Sequence, residues 1–274
     1  MKAARFAYVR ARSCGEAAGL LQQSAGMGKV ISGGQSLGAM LNLRLAQPDL
    51  LVDVRAIEAL HGCLVEADAV TLGANTTHAA IEDGRVSDPT RGLMPSVAAG
   101  IAYRAVRNRG TLGGSLAHAD PAADWVNLMA LLDARYRVEG PAGVRMLDSA
   151  DWMSCAFTTA LREDEILISV RIPSLSSGAR WSYYKVNRKP GEFAQAIAAI
   201  IDDPRRGLRR ALIGATEGVP YVFAAGALLD HWDEALADVH LRAAGLAADS
   251  YEYRIHHTAL RRAIGQLSPA RKSP

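Results

Sequence analysis

Two glycine pairs flanked by hydroxyl residues carry the strongest chemical signal in this sequence. Gly33 and Gly34 lie in the run Ser-Gly-Gly-Gln-Ser-Leu, and Gly113 and Gly114 lie in the run Thr-Leu-Gly-Gly-Ser. Glycine lets successive backbone N–H groups converge on one anion, while serine or threonine adds a hydroxyl donor. Two such loops together suit a pyrophosphate, whereas either loop alone fits an ordinary tight turn as well.

The spacing of these glycines excludes two common nucleotide motifs. Neither loop has the Gly-x-Gly-x-x-Gly pattern after a strand, and the sequence contains no Gly-x-x-x-x-Gly-Lys-Ser/Thr run. The Rossmann and P-loop modes of binding are therefore both excluded. A dinucleotide would have to be held in another way.

Two acids follow the second glycine loop. Asp120 is placed to cap a helix, and Asp124 would lie one turn inside it, where the helix dipole favours a negative charge. Either carboxylate could instead accept hydrogen bonds from ribose or ribityl hydroxyls. His118 has no serine or cysteine partner at a recognisable spacing, so the sequence indicates no catalytic residue.

The cysteines and the composition limit the remaining classes. Cys14, Cys63 and Cys155 are widely spaced without a Cys-x-x-Cys pair, so neither a metal site nor a disulfide is predicted.

Apolar residues make up 49% of the 274 residues, which indicates a folded globular chain. The net charge of +3 is spread along the chain and requires no nucleic-acid partner. Apolar runs are too short for a membrane span and no secretory pattern opens the chain, so we expect a cytoplasmic protein.

The hydrophobic pattern predicts two α/β units, residues 1–56 and 57–176. In the first, Ser13 and Glu16 form a capping box before a short helix, and strands are expected at residues 29–31 and 50–54. The second opens with paired short strands, continues through the second glycine loop and a helix beginning at Pro121, and closes with a strand over residues 165–172.

Residues 177–274 are predicted to form a third unit. Three strands are expected at residues 181–187, 193–201 and 208–215, and the rest of the chain is expected to be helical. The run Ser174 to Gly178 is the clearest linker, which places the boundary near residue 176.

Several segments, in order along nearly the whole chain, resemble the FAD-binding medium subunit of molybdenum hydroxylases, the carbon monoxide dehydrogenase and xanthine dehydrogenase group. The longest is the run from Val106 to Asp124, which includes the second glycine loop and both acids. The other matching segments are residues 32–37, 157–160, 165–167, 188–194 and 253–254.

The resemblance implies an α+β fold in three parts. Two α/β subdomains of the vanillyl-alcohol-oxidase/PCMH type would hold FAD between them. A C-terminal domain with a three-stranded antiparallel sheet and helices would close over the cofactor.

The resemblance also implies a set of cofactor-binding residues. Lys185 would lie near the pyrimidine edge of the flavin, where a fixed cation favours the anionic reduced form. Phe193 falls where an aromatic side chain often screens one flavin face, and equally fits a core position at a strand start. Asp120 and Asp124 would bind ribose or ribityl hydroxyls. The ring system would contact Ile101, Ile166 and Leu167, and the pyrophosphate region would be formed by Lys29, Val30, Ile31, Ser32, Gly33, Gly34, Gln35, Ser36, Leu37, Thr111, Gly113, Gly114 and Ser115.

The function implied is that of an FAD-carrying electron-transfer subunit in a cytoplasmic heterotrimer. A large subunit would hold the molybdenum cofactor and a small subunit two [2Fe-2S] clusters, since this chain lacks the cysteine sets that such clusters need. Two alternatives stay open: a freestanding flavin-dependent oxidoreductase of the same fold, and a non-redox nucleotide-binding scaffold subunit. The sequence specifies neither the substrate nor the electron acceptor.

Overall fold

The computed structural model describes residues 2–267, which form three large sheets in succession along the chain and one small two-stranded sheet. The first sheet is parallel, with strand order β1-β3-β2. Ser13 caps the helix between its first two strands by accepting a hydrogen bond from the Glu16 backbone N–H, as the capping pattern predicts. The elements of this part are β1 (Ala7–Arg10), α1 (Cys14–Gln23), β2 (Gly28–Ile31), α2 (Leu37–Asn42) and β3 (Leu50–Asp53).

The second sheet is antiparallel, with strand order β4-β5-β10-β6-β7, and a two-stranded hairpin of β8 and β9 lies beside it. In chain order, five helices lie between β5 and β6. The elements of this part are β4 (Cys63–Val65), β5 (Ala69–Gly73), α3 (His78–Glu82), α4 (Leu93–Ala99), α5 (Arg104–Arg107), α6 (Leu112–His118), α7 (Asp124–Leu131), β6 (Arg135–Gly140), β7 (Gly143–Asp148), β8 (Met153–Cys155), β9 (Thr158–Thr159) and β10 (Ile166–Pro173).

The third sheet is antiparallel and has four strands in sequential order, and three helices follow it in the described chain up to Leu267. The expectation of a three-stranded sheet is therefore wrong by one strand. The additional strand has four residues and follows Pro220, so it is too short to show a clear alternating pattern. The elements are β11 (Arg180–Val186), β12 (Ala196–Asp203), β13 (Leu208–Gly214), β14 (Tyr221–Ala224), α8 (Gly226–Asp230), α9 (Glu234–Ala243) and α10 (Tyr251–Leu267).

Strand β12 is buried on both faces, which explains its unbroken apolar sequence. Ile197, Ala199 and Ile201 point into the large core shared with the middle sheet. The alternate residues, Ala196 among them, pack in a second core that includes residues of α10. Successive side chains of a strand point to opposite faces, so a strand between two cores has no position for a polar surface residue until its end.

Among residues 2–267, no helix is both long enough and apolar enough to cross a bilayer.

His78, at the start of α3, ties the middle helices together. Its Nδ1 accepts a hydrogen bond of 3.0 Å from Trp125 Nε1, and its backbone N–H donates to the Gly110 carbonyl at 2.9 Å. Burial, with a smaller contribution from the Arg107 charge, lowers the pKa of His78 to about 4. The imidazole is therefore neutral at pH 7 and is a structural hydrogen-bond acceptor.

This buried histidine predicts acid sensitivity. Between its ordinary pKa of 6.5 and the folded value of about 4, the unfolded chain binds the proton more readily, so stability falls as the pH falls through this window. The full loss at acid pH is about 3 kcal/mol. Urea unfolding from pH 7 to pH 4.5 should show a shallower pH dependence for His78→Gln than for the parental chain. His231→Gln, at an exposed position, should keep the parental slope. Equal slopes in all three chains would contradict this role of His78.

Candidate functional site

The first glycine loop leaves the carboxyl end of β2 and enters α2. Within the described chain, none of the backbone N–H groups of residues 33–36 donates a hydrogen bond to protein. Gly34 has φ +70°, in the left-handed region that glycine adopts without strain. A run of unpaired N–H donors at the end of a parallel strand is a suitable site for an anion.

The second glycine loop lies directly against the first. A Cβ atom on Gly33 would lie only 2.2 Å from the Arg109 carbonyl oxygen. Ser32 Oγ lies 3.2 Å from Thr111 Oγ1, although the two residues are 79 positions apart in the sequence. The structure therefore brings together the two loops that the sequence singles out.

The two loops contribute differently. In the second loop, Thr111 caps α6 by accepting from the Gly114 N–H at 3.1 Å, and the Gly113 N–H donates to the Ala74 carbonyl at 2.9 Å. The Ser115 N–H donates to the Thr111 carbonyl. Because these donors are already paired, the first loop supplies the free N–H groups and the second supplies a close, glycine-lined wall. A Cβ atom on Gly113 would lie 2.6 Å from the Ala74 Cβ.

Asn75 holds Ser32 of the first loop in place and was not found by sequence reasoning. Its Oδ1 accepts from Ser32 Oγ at 2.6 Å, and its Nδ2 donates to the Val54 carbonyl at 3.0 Å. The side chain is buried, with 5% exposure. A single asparagine after a strand has no distinctive sequence pattern, so only the folded chain shows that it links residues from three separate segments.

The remaining predicted residues of the first segment occupy varied positions. Lys29 is exposed and Val30 and Ile31 are half-buried on β2. The Gln35 side chain donates to the Gly33 carbonyl at 3.0 Å, and so stays within the loop. Ser36 lies at the start of α2 without a side-chain capping bond, and Leu37 is the first residue of that helix.

Asp124 lies at the start of α7 and is buried, with 6% exposure. Its Oδ1 accepts from the Tyr183 hydroxyl and its Oδ2 from Lys185 Nζ, each at 2.8 Å. Tyr183 and Lys185 are two residues apart on β11, so both side chains point to the same face of the strand. Burial raises the pKa of Asp124, while the Lys185 ammonium and the Tyr183 hydroxyl oppose that rise. Burial, with the Asp124 charge adding to it, raises the pKa of Tyr183.

This acid, hydroxyl and amine group joins the middle part of the chain to the C-terminal sheet. Each Asp124 oxygen uses one lone pair on its protein partner and retains another for a ligand hydroxyl. Tyr183 was missed by the sequence analysis, because its role depends on which face of β11 meets α7.

Asp120 does not cap a helix. Its Oδ1 accepts from the Ala122 N–H at 2.9 Å, and α7 begins only at Asp124, with Ala123 as the capping residue. The helix predicted from Pro121 therefore starts three residues later. Asn127 holds the intervening loop by donating from Nδ2 to the carbonyls of Pro121 and Ala123.

A cleft of about 480 Å³ lies beside Lys185. Its lining includes Ala102, Tyr103, Arg104, Arg107 and Gly191. The Ala102 N–H donates to the Gly191 carbonyl at 3.0 Å, and Ile101, which is half-buried, pairs with Gly191 in a short parallel bridge.

The three other predicted ring contacts differ in exposure. Ile166 and Leu167 lie in β10 and are buried, with 3% and 6% exposure. Phe193 is 62% exposed and lies in the loop before β12, since that strand begins at Ala196. The alternative of a core residue at a strand start is therefore wrong for Phe193.

Within residues 2–267, no group of three or more histidine, cysteine, aspartate or glutamate side chains could hold a metal ion. The site fits a dinucleotide instead. The unpaired N–H groups of residues 33–36 suit a diphosphate, and a side chain at Gly33 would fill the space where the two loops meet. Asp124 offers carboxylate lone pairs to hydroxyls, and the cleft beside Lys185 has room for a ring system.

Comparisons with known proteins agree with this class of site. Residues 4–175 match the family described as the FAD binding domain in molybdopterin dehydrogenase, and the chain belongs to this family. It is an FAD-binding medium subunit of the molybdenum hydroxylases, an oxidoreductase component.

Two sequence relatives illustrate the family. The carbon monoxide dehydrogenase medium chain of Hydrogenophaga pseudoflava is 36% identical over 197 residues, which cover 72% of this chain and 69% of the relative. The glyceraldehyde dehydrogenase medium chain of Sulfolobus acidocaldarius is 32% identical over 195 residues, covering 71% and 69%.

Solved structures agree over almost the whole chain. The quinoline 2-oxidoreductase from Pseudomonas putida 86 superposes with a TM-score of 0.84 at 30% identity, covering 97% of this chain and 98% of the other. Carbon monoxide dehydrogenase from Hydrogenophaga pseudoflava gives a TM-score of 0.85 at 28% identity, with the same coverage.

The contact between the loops predicts a sharp effect of one methyl group. Gly33→Ala would push the first loop away from the Arg109 carbonyl, so the unpaired donors would no longer face the second loop. We expect the FAD dissociation constant to rise at least about tenfold, which corresponds to about 1.4 kcal/mol. Fluorescence titration of the apoprotein measures it.

Gly38→Ala is the matched control, because this glycine lies in the adjacent helix and a Cβ atom there has nothing within 4 Å. It should bind FAD like the parental chain. Tight binding by Gly33→Ala would show that the loops do not hold the cofactor together.

The buried pair of Asp124 and Lys185 predicts a stability difference. Lys185→Met leaves a buried carboxylate without its cation and should lower the unfolding free energy by about 3 kcal/mol. The double variant Lys185→Met/Asp124→Asn should lose less. Protonation of the unpaired carboxylate relieves the penalty, so the deficit of the single variant should shrink as the pH falls.

Arg188→Met provides a control for loss of a positive charge near the same strand, since Arg188 pairs with Glu192 at the surface. Urea unfolding should show a change of about 0.5 kcal/mol or less for it. A Lys185→Met chain as stable as the parental one at pH 7 would contradict the importance of the pair.

Proposed function

We propose that this chain carries FAD as the electron-transfer subunit of a molybdenum hydroxylase complex, and that substrate is oxidised on another subunit. Electrons would come from iron–sulfur clusters of a partner subunit and leave, by way of FAD, to an external acceptor. The observation that carries the proposal is the run of unpaired N–H donors at residues 33–36, set against the second glycine loop.

In this proposal each part of the cofactor has its own set of binding residues. The N–H groups of residues 33–36 would bind the pyrophosphate, with the hydroxyls of Ser32, Thr111 and Ser115 close by. Asp124 would accept ribityl or ribose hydroxyls. The ring would occupy the cleft between Ala102 and Lys185. When bound, FAD supplies the chemistry that exchanges electrons one or two at a time.

The environment of Lys185 affects how much charge it presents to the ring. Its side chain is 12% exposed and its ammonium is already paired with Asp124 at 2.8 Å. The carboxylate therefore compensates part of the positive charge that would otherwise stabilise a reduced ring. We propose that Lys185 orients the ring edge by hydrogen bonding as much as by its charge.

The partners in the proposal are a large subunit with the molybdenum cofactor and a small subunit with two [2Fe-2S] clusters. The names of the relatives support this arrangement, since they are medium chains or FAD subunits of dehydrogenases. The proposal includes the cytoplasmic heterotrimer that the sequence resemblance implies. It also includes the three domains 1–56, 57–176 and 177–274, each of which contains one of the three large sheets.

The test uses the complex assembled with its partner chains. With the parental medium subunit, substrate should reduce an external acceptor. With Gly33→Ala depleted of FAD, substrate should still reduce the metal centres of the partners, while electron flow to the acceptor should stop. Gly38→Ala should support parental turnover.

Acceptor reduction at the parental rate without FAD would contradict the proposal. Hydroxylation by the isolated chain, with metals shown absent by elemental analysis, would favour a freestanding flavoenzyme. Purification of the chain with a bound nucleotide that is not a flavin would favour a scaffold role.

A further inference from the structure

Arg107 makes an unusually complete set of hydrogen bonds behind the cleft. Its Nε and Nη2 donate to the two oxygens of Glu82 at 2.7 and 2.9 Å. Its Nη1 donates to the carbonyls of Ile101 and Ala102 at 2.9 and 3.1 Å. The side chain is only 12% exposed. The planar guanidinium thus joins a helix of the middle part to two consecutive backbone carbonyls.

The backbone that Arg107 holds is in an unfavourable conformation. Ala102 has φ +43°, in the left-handed region that residues with a Cβ atom rarely adopt. Such a conformation persists only where neighbouring contacts fix it. The bonds from Arg107 to the Ile101 and Ala102 carbonyls are contacts of this kind.

The backbone at Ala102 also contacts the loop between β11 and β12. The Ala102 N–H donates to the Gly191 carbonyl at 3.0 Å. Gly191 has φ +87°, and a Cβ atom there would lie 2.5 Å from the Ala102 carbonyl oxygen. The carbonyls of Ile101 and Ala102 are thus held from one side by Arg107, while the N–H of Ala102 holds the loop on the other.

Charge compensation shows that Arg107 is not a free cation in the cleft. Both oxygens of Glu82 face its guanidinium, and hydrogen bonding to Arg107 lowers the pKa of Glu82. Arg104, on the same helix, also bonds to Glu82, but its other partners are the Asp83 carboxylate and the Asn108 side chain. Only Arg107 of the two donates to the backbone of the cleft wall.

We propose that Arg107 is a positioning residue for the flavin ring. By donating to the Ile101 and Ala102 carbonyls, it fixes the backbone that lines the cleft and that bonds to the loop at Gly191. This inference rests on the proposed function, since it takes the cleft beside Lys185 as the place of the ring. It separates two tasks: the glycine loops retain the cofactor, and Arg107 sets the surroundings of its reactive end.

The test compares Arg107→Met with Arg104→Met. Arg104 also lines the cleft and would lose its bonds to Glu82, Asp83 and Asn108, but it donates to neither the Ile101 nor the Ala102 carbonyl. We expect Arg107→Met to retain FAD near one per chain, with an affinity within about threefold of parental, because the pyrophosphate loops are untouched. Its visible absorption bands should shift, and its reduced form should react with oxygen at least about fivefold faster because the ring is less enclosed. Arg104→Met should match the parental chain in both.

A second measurement, on the apoprotein, tests whether Arg107 restrains the backbone that lines the cleft. In the apoprotein, amide hydrogen exchange over residues 99–103 and 187–193 should be at least about tenfold faster in Arg107→Met. Without the guanidinium, the backbone at residues 101 and 102 and the loop bonded to it are less restrained. Arg107→Lys cannot bridge Glu82 and both carbonyls together, so it should change the absorption bands, the oxygen reactivity and the hydrogen exchange in the same direction. If Arg107→Met fails to fold, Arg107→Lys tests the positioning role.

An Arg107 variant with full FAD and parental spectra, oxygen reactivity and exchange would overturn the positioning role while leaving the proposed function standing. Loss of FAD to the same extent as in Gly33→Ala would also overturn it, because retention and positioning would then not be separate. Failure of the parental chain to bind FAD would overturn both proposals.

Discussion

The contact of Gly33 with the Arg109 carbonyl is the constraint on which the arrangement of the site depends. The two loops come from different sheets, and only a residue without a side chain allows their backbones to lie this close. Once they meet, Ser32, Asn75 and Thr111 form hydrogen bonds across the junction. The free N–H donors of the first loop then lie next to a segment whose own N–H groups at Gly113, Gly114 and Ser115 are already hydrogen-bonded. This division gives the site unpaired donors without leaving the second loop unstable.

A second principle recurs along the cleft, where cations are paired with acids supplied by the chain itself. Lys185 is held by Asp124, and Arg107 by Glu82. Burying a charge is costly unless it is paired and hydrogen-bonded, so these pairs allow charged side chains to lie largely buried beside the cleft. They also make the side chains rigid. The net charge of each pair is therefore smaller than that of the cation alone.

The C-terminal sheet takes part in the site because β12 is buried on both faces. One face packs into the core of the middle part, where α7 lies against β12 and β13, and the neighbouring strand β11 directs side chains to the first residue of α7. Tyr183 and Lys185 reach Asp124 only because of that packing. The helix α10 covers the other face. Strands, helices and site are thus fixed by the same apolar contacts.

The sequence by itself determined the local features of this protein. The glycine pairs, the cap at Ser13 and the apolar run of β12 follow from short-range chemistry, and so could be predicted. The prediction of a loop up to Ser115 was wrong, since α6 begins at Leu112. The family resemblance of the ordered segments was confirmed. Short-range patterns did not show β14, which is too short for its alternation to be visible, nor the late start of α7 at Asp124.

Only the tertiary structure decided which distant groups meet. Asn75, Tyr183 and the carbonyls behind Arg107 have no distinctive sequence pattern, because their partners lie tens of residues away or on the backbone. Phe193 likewise could be assigned to the core or the surface only once the start of β12 was known. Hydrogen bonding and charge compensation depend on distances of about 3 Å, which the packing of whole elements sets and which local periodicity does not contain.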